Sequence, residues 1–152
     1  MDLKIRKAKE NDIKVIAQNV LNVALEGSNE TLCKNKVLEA VQSFLKTPES
    51  GVYYVAESNH KIIGSLMIQK EWSDYKNGYR WWIHSVYVDP KYRRQGVYKA
   101  MYSHIKKQAQ KSENVIGLNL YTDENNKPAQ KAYEKLGMIN TRQIVYTDTD
   151  VK

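Results

Sequence analysis

Residues 82–102 constrain the fold of this chain more than any other stretch, because they combine a strand, a turn, a glycine-containing loop and a helix. Residues 82–88 are rich in β-branched and aromatic side chains, and an Asp-Pro pair ends them. From Val97 onwards, apolar residues recur at helical spacing. The intervening loop reads Arg93-Arg94-Gln95-Gly96. A helix that begins after such a loop presents unpaired N–H groups and the positive end of its dipole, and both favour a bound phosphate.

The order of predicted elements indicates a mixed α/β fold. A strand around Leu3 and Ile5 precedes a helix that ends at Gly27. The later elements are a helix over 31–45, strands over 52–57, 61–71 and 80–88, a helix over 97–111, an inner strand over 115–121, a helix over 127–136 and a terminal strand over 138–147. We expect an antiparallel sheet at first and a parallel strand pair across the helix at 97–111.

The composition is typical of a soluble globular protein, with 41% hydrophobic and 27% charged residues among 152. We expect one domain over residues 1–152. The sequence has no apolar run of eighteen residues and no apolar signal core at its N-terminus, so we expect a cytoplasmic protein without a membrane partner. The single cysteine, Cys33, and three histidines make no metal-ligand set, so we expect no metal.

The net charge of +7 is compatible with a phosphorylated cofactor, an acidic substrate or a nucleic acid. The lysines are scattered and form no run of five or six, which is typical of solvated faces. We therefore expect no nucleic-acid partner. Arg93 and Arg94 are the exception, because they lie together in the loop before a predicted helix.

Two motifs occur in order about thirty residues apart. The first, Arg/Gln-x-x-Gly-x-Gly/Ala, reads Arg93-Arg94-Gln95-Gly96-Val97-Tyr98. The second, Asn-x-x-Ala-x-x-x-Tyr-x-x-x-Gly, is formed by Asn126, Ala129, Tyr133 and Gly137. With these motifs the C-terminal two thirds of the chain resemble the GCN5-related N-acetyltransferase (GNAT) superfamily. Tyr98 departs from the pattern, since relatives usually carry Gly or Ala there.

The resemblance implies a single-domain α/β GNAT-like fold, with a mixed, mostly antiparallel sheet flanked by about four helices. Strands 4 and 5 would splay apart, and acetyl-CoA would lie in the gap as co-substrate. The residues that the resemblance assigns to the cofactor are Tyr87 and Val88 for the pantetheine arm, Arg93, Arg94, Gln95, Gly96, Val97, Tyr98 and Lys99 for the pyrophosphate, and Asn126, Ala129 and Tyr133 near the thiol. An edge-paired homodimer is a further expectation from the family.

Acetyl transfer from a thioester to an amine needs a base, stabilisation of the oxyanion and a proton for the departing thiolate. The resemblance makes Tyr133 the candidate acid. For the base, His84 and Glu71 remain open, together with bulk water; an imidazole near pKa 6.5 accepts a proton at neutral pH. Simple alternation places Trp82 and His84 on one face of their strand and Tyr87 on the other. No cysteine lies in the motif region, which favours direct transfer in a ternary complex.

The acceptor is expected to be a primary amine of a small molecule or a peptide. Five aromatic residues are predicted to cluster on the acceptor side: Trp72, Tyr75, Tyr79, Trp81 and Trp82. Glu26 and Glu30, near the end of the first predicted helix, are candidates for holding the amine. Two other function classes remain open: a CoA-binding regulatory or interaction module with a degenerate acceptor site, and a nucleic-acid-binding protein suggested by charge alone.

Overall fold

The computed structural model describes residues 1–151 and contains five strands and four α-helices in this part of the chain. Their bounds are β1 Leu3–Lys7, α1 Ile13–Ser28, α2 Lys34–Leu45, β2 Gly51–Ser58, β3 Lys61–Ser73, β4 Gly78–Val88, α3 Val97–Lys111, β5 Val115–Leu120 and α4 Lys127–Lys135. The predicted element order is confirmed as far as α4. The predicted terminal strand is wrong, because residues 138–149 adopt neither helix nor strand.

The strands form one mixed sheet in the order β1-β2-β3-β4-β5. The pairs β1–β2, β2–β3 and β3–β4 are antiparallel, whereas β4 and β5 are parallel. The predicted parallel pair across the helix that follows β4 is therefore confirmed, since α3 connects these two strands. In the described part of the chain β5 lies at the edge of the sheet, so the prediction of an inner strand there is wrong. That prediction rested on the apolar, alternating side chains of residues 115–121.

Helices cover both faces of the sheet. On one face, α1 and α2 pack on β2 through a buried apolar cluster that contains Ile16, Val41, Tyr53 and Val55. On the other face, Tyr54 makes an edge-to-face contact with His104 of α3, at 5.6 Å between ring centroids. Alternation along β2 thus directs neighbouring tyrosines to different helices. The face covered by α1 and α2 is called the α1 face below.

The chain divides into two compact units, one over residues 1–121 and one from Thr122 onwards. The first, called the body below, contains the whole sheet with α1, α2 and α3. The second, called the C-terminal segment, contains α4. Asn126 caps α4 by accepting a hydrogen bond from the Ala129 amide at 3.2 Å, and Gly137 follows the helix with a φ of 89°. The predicted start of this helix at residue 127 is confirmed, and Pro128 lies in its first turn, where proline is tolerated.

A buried ion pair fastens β1 to the start of α1. The Arg6 guanidinium donates to Asp12 at 2.7 Å and to Glu57 of β2 at 2.9 Å. Burial alone would raise the pKa of Asp12, but hydrogen bonds from Arg6 and from the Lys9 amide outweigh it and lower that pKa below its usual value. Asp12 directly precedes α1, yet its side chain makes no cap hydrogen bond with this helix.

We expect Arg6→Ala to lower the free energy of unfolding by about 2 kcal/mol at pH 7, because it leaves the Asp12 carboxylate buried without its charged donor. A carboxyl whose folded pKa is depressed stabilises the fold above its unfolded pKa and loses that contribution as the pH falls through the folded value. The difference between wild type and variant should therefore narrow below about pH 4. Urea unfolding at several pH values measures this difference in the free energy of unfolding. Lys4→Ala, an exposed change on β1, is the control, and an equal effect of both changes would contradict the assignment.

Candidate functional site

A fork opens where β4 and β5 part. Their parallel pairing runs from Tyr79 opposite Val115 to Ile83 opposite Leu120 and then stops. β4 nevertheless continues for five more residues, to Val88. α3 begins nine residues after β4 ends, and the Arg93 side chain of the intervening loop donates to the Val88 carbonyl at 2.8 Å, which ties this loop to the end of β4. The predicted separation of strands 4 and 5 is confirmed.

A β-bulge in β4 accompanies this fork. His84 pairs with Met67 of β3, but Tyr87 pairs with Ser65. Two residues of β4 therefore lie opposite one residue of β3. Within the bulge Ser85 has a φ of 51°, a left-handed conformation that is uncommon for a residue other than glycine. A bulge takes backbone groups out of the ladder and turns the strand. Beyond Ile83, the edge of β4 that faces β5 has no paired strand among the described residues, so its polar backbone groups are available at the fork.

The bulge also overturns the predicted alternation beyond His84. Cross-strand partners point to the same side of a sheet. Ser65 faces α1, since its hydroxyl accepts a hydrogen bond from the buried Asn19 side chain at 2.9 Å, and Met67 packs against the cluster between α1 and α2. Tyr87 therefore lies on the α1 face together with His84, not on the opposite face, because the extra residue shifts the alternation by one.

The loop before α3 has two residues in the left-handed region, Arg94 with a φ of 63° and Gly96 with a φ of 81°. Gly96 precedes the first helical residue and, among the described residues, no side chain caps this helix start. The Gln95 side chain donates to the Lys91 carbonyl at 3.0 Å and so ties the loop to the preceding turn. Exposed basic side chains, open N–H groups and the helix dipole make this loop suitable for a phosphate group.

Arg93 is held by three contacts within the body. Its Nε donates to the Val88 carbonyl at 2.8 Å, and one terminal nitrogen donates to Glu26 of α1 at 2.9 Å. The guanidinium also lies 5.4 Å from the centre of the Tyr87 ring. Arg93 thus fastens the end of α1 to the end of β4. From the sequence, Arg93 was assigned to a phosphate and Glu26 to the amine. Their contact was not predicted.

Tyr98, which departs from the family pattern, lies in the first turn of α3. Its ring lies beside that of Tyr102, one turn further along the helix, at 6.3 Å between centroids, and its hydroxyl is buried. The side chain therefore extends along α3, and the backbone N–H of residue 98 belongs to the helix start. Val97, the preceding residue, is buried, whereas Lys99 is exposed.

Three aromatic rings meet at the mouth of the fork. Trp82 and His84 lie side by side on β4, with parallel rings 6.4 Å apart. Tyr121, directly after β5, stacks on Trp82 at 4.4 Å and lies 5.9 Å from His84. Burial lowers the pKa of His84 below its usual value, so its imidazole is neutral at physiological pH. Tyr121 was not singled out from the sequence; the two-residue alternation of Gly117, Asn119 and Tyr121 was the available signal.

The other predicted acceptor-side aromatics do not form one cluster. Trp81 is buried and points to the opposite side of β4 from Trp82. Trp72 and Tyr79 contact each other edge to face at 5.0 Å, and Tyr75 is 93% exposed. Glu71 is exposed on β3, with its carboxylate 3.8 Å from Arg80. Only Trp82 of the five accompanies His84.

In the C-terminal segment, Asn126 and Ala129 lie at the start of α4 and Tyr133 lies near its end. The Asn126 side chain caps the helix through the Ala129 amide. Tyr133 is half-buried, and burial raises the pKa of its hydroxyl. A tyrosine with a raised pKa keeps its proton over a wider pH range, which suits a proton donor. The roles of these three residues stay predictions.

Three other features bear on function. Within residues 1–151, no three His, Cys, Asp or Glu side chains lie close enough to hold a metal ion. None of the helices in that same range is long and apolar enough to cross a membrane. Cys33 directly precedes α2 and is exposed.

Residues 21–138 match the Acetyltransferase (GNAT) family, which is more than half of the chain. No curated protein sequence gives a significant match. A solved structure of a possible acetyltransferase from Clostridium difficile 630 is 34% identical, with a TM-score of 0.91 and 96% of each chain covered.

Two more distant structures share the fold. One is a predicted acetyltransferase with acetyl-CoA from Clostridium acetobutylicum, at 20% identity, a TM-score of 0.78 and 96% of each chain covered. The other is an aminoglycoside acetyltransferase from an uncultured soil metagenomic sample in complex with sisomicin, at 21% identity and a TM-score of 0.75, covering 99% of this chain and 97% of that one.

Proposed function

Because the chain belongs to the GNAT family of acetyltransferases, we propose that it transfers an acetyl group from acetyl-CoA to a primary amine of a small molecule or peptide. The observation that carries this proposal is the fork between β4 and β5 beside the uncapped, glycine-preceded start of α3. A fork of this kind offers a slot for an extended chain, and the helix start offers a site for its phosphates.

Acetyl-CoA is proposed to bind along this slot. The N–H groups from Arg94 to Lys99 hold the pyrophosphate, and Arg94 adds charge. The backbone of Tyr87 and Val88 pairs with the pantetheine arm. Arg93 contributes by fixing the end of β4, since it is bonded to the Val88 carbonyl and to Glu26. Asn126 and Ala129 are assigned to the thiol end from the family motif.

In the proposed reaction, the neutral amine attacks the thioester carbonyl and a C–N bond forms. The negative charge that develops on oxygen is stabilised by backbone N–H groups of β4 beyond Ile83, where the pairing with β5 has ended. The C–S bond then breaks, Tyr133 gives its proton to the thiolate, and the ammonium proton passes to the base. Holding both substrates in one site supplies much of the rate by proximity.

Two measurements on the wild-type protein test this function. Calorimetry should detect acetyl-CoA binding, and a thiol assay should detect CoA release only when an amine is added. Acetyl-CoA binding without thiol release against a broad amine panel would overturn the proposal and favour a CoA-binding module. Steeply salt-dependent binding to DNA or RNA, with no acetyl-CoA binding, would favour the nucleic-acid reading.

His84 is proposed as the base, since its lowered pKa leaves it neutral and ready to accept a proton. His84→Phe keeps a ring beside Trp82 but has no basic nitrogen. We expect kcat to fall about tenfold, less than a typical general base contributes, because solvent can also take the amine proton. Wild-type kcat should decline at acidic pH with a midpoint below the usual histidine value, and the variant should lack that decline.

Glu71→Gln is the matched variant for the competing assignment, because it removes the other candidate base while conserving size. We expect its kcat and pH profile to resemble those of wild type, since the Glu71 carboxylate is exposed and lies 3.8 Å from Arg80. A reversal, in which Glu71→Gln loses the acidic decline and His84→Phe keeps it, would move the role to Glu71.

A further inference from the structure

The three rings at the fork leave one aromatic face open to solvent. Tyr121 is 58% exposed although it stacks on Trp82 at 4.4 Å, so one side of its ring is covered and the other is available. The Trp82 indole N–H is buried and has no hydrogen-bond partner among the described residues. Stacking, not a hydrogen bond, therefore positions the indole, and the Tyr121 ring rests on a fixed aromatic base.

The charges around this face disfavour an acceptor that carries several positive charges. Glu26 is paired with Arg93 at 2.9 Å, and the Glu71 carboxylate lies 3.8 Å from Arg80. These two carboxylates, which the sequence offered as candidates for the amine and for the base, are thus already matched by arginines. The chain as a whole has a net charge of +7, which repels polycations at a distance. His84 is neutral and adds no repulsion for a single ammonium group.

We propose that the acceptor is a monoamine with an aromatic body, which lies on the exposed face of Tyr121 while its amino group enters the fork. This inference rests on the proposed function and specifies its substrate class. Ring stacking orients a flat acceptor on Tyr121, and the short step from Tyr121 to the last paired strand residue, Leu120, brings its amine near the reacting thioester. The site disfavours polyamines, because the Glu26 carboxylate at the end of α1 is already paired with Arg93 and is not free for a second ammonium group.

A matched set of acceptors tests this inference: 2-phenylethylamine, 2-cyclohexylethylamine and spermidine. The first two present the same amine on rings of similar size, and only one ring is aromatic. With wild-type protein, we expect kcat/KM to be highest for 2-phenylethylamine and lowest for spermidine. Tyr121→Leu should lower kcat/KM for 2-phenylethylamine about fivefold and leave 2-cyclohexylethylamine nearly unchanged. Tyr121→Phe, which retains the ring, should keep the preference.

The acetyl-CoA dissociation constant should be the same in both Tyr121 variants and wild type, which verifies an intact cofactor site. Spermidine as the best acceptor, or equal losses for both ring amines in Tyr121→Leu, would overturn the inference while leaving the acetyltransferase function in place. If no amine were acetylated, the function itself would fail. Calorimetric binding of the two ring amines in the presence of CoA then decides the inference separately: equal or absent binding refutes it, and a Tyr121-dependent aromatic preference supports it.

Discussion

Replacing Tyr133 with phenylalanine is expected to lower kcat about 10²-fold or more, the range typical of a lost general acid. The change removes one oxygen atom and keeps the ring, so α4 should fold as before. Burial raises the pKa of the Tyr133 hydroxyl, which keeps it protonated at the pH where the thiolate leaves. Steady-state release of CoA measures kcat, and the KM for acetyl-CoA should change little, because the proton moves only in the transition state.

Tyr146→Phe is a matched control, since it makes the same chemical change in the same segment on a side chain that is 89% exposed. Its kcat should equal that of wild type. If Tyr133→Phe also retained wild-type kcat across the pH range, Tyr133 would not be the acid, and another donor or solvent would have to protonate the thiolate.

The second large effect is expected at Gly96. Gly96→Trp should weaken acetyl-CoA binding about 10²-fold or more, because each charge-assisted hydrogen bond to a phosphate contributes about 1.5–3 kcal/mol and the indole would displace at least two. A Cβ built at Gly96 meets no atom within 4 Å, so the space beside the helix start is open to a ligand or to a new side chain. Calorimetry with acetyl-CoA measures the dissociation constant.

The conformation of Gly96 requires its own control. With a φ of 81°, any other residue here is strained, and Asn tolerates this region better than most. Gly96→Asn should therefore retain most of the affinity for acetyl-CoA, whereas Gly96→Trp should lose it. The melting temperatures of the two variants should be similar. If Gly96→Trp bound acetyl-CoA with wild-type affinity, the assignment of the phosphate to this loop would be wrong. Equal losses in both variants would assign the effect to backbone strain.

Local patterns in the sequence were sufficient for much of the fold. The starts of α3 at residue 97 and of α4 at residue 127 were predicted correctly, because helix termini depend on a few neighbouring residues. The parallel pair β4–β5 followed from the intervening helix. The position of the candidate phosphate loop was therefore available from the sequence alone.

Features of the structure that depend on residues far apart in the sequence could not be predicted. The bulge at Ser85 is a shift in the register between β3 and β4, and residues 80–88 alone do not predict it. It moved Tyr87 to the α1 face. Arg93 and Glu26 lie 67 positions apart in the sequence, so their contact could not be predicted from local patterns. Arg93 was therefore assigned to a phosphate only. The segment 138–149 has strand-forming side chains, but a strand also needs a hydrogen-bonding neighbour, and propensity does not supply one.

The central claim is direct acetyl transfer to an amine, and a single-turnover experiment tests it most directly. Protein, stoichiometric acetyl-CoA and the best acceptor of the amine panel are mixed, quenched at successive times and analysed by intact mass. For direct transfer, N-acetylated amine should appear together with free CoA, and the protein mass should never change. Accumulation of an acetylated protein before product, or acetyl-CoA that stays intact while bound, would contradict it.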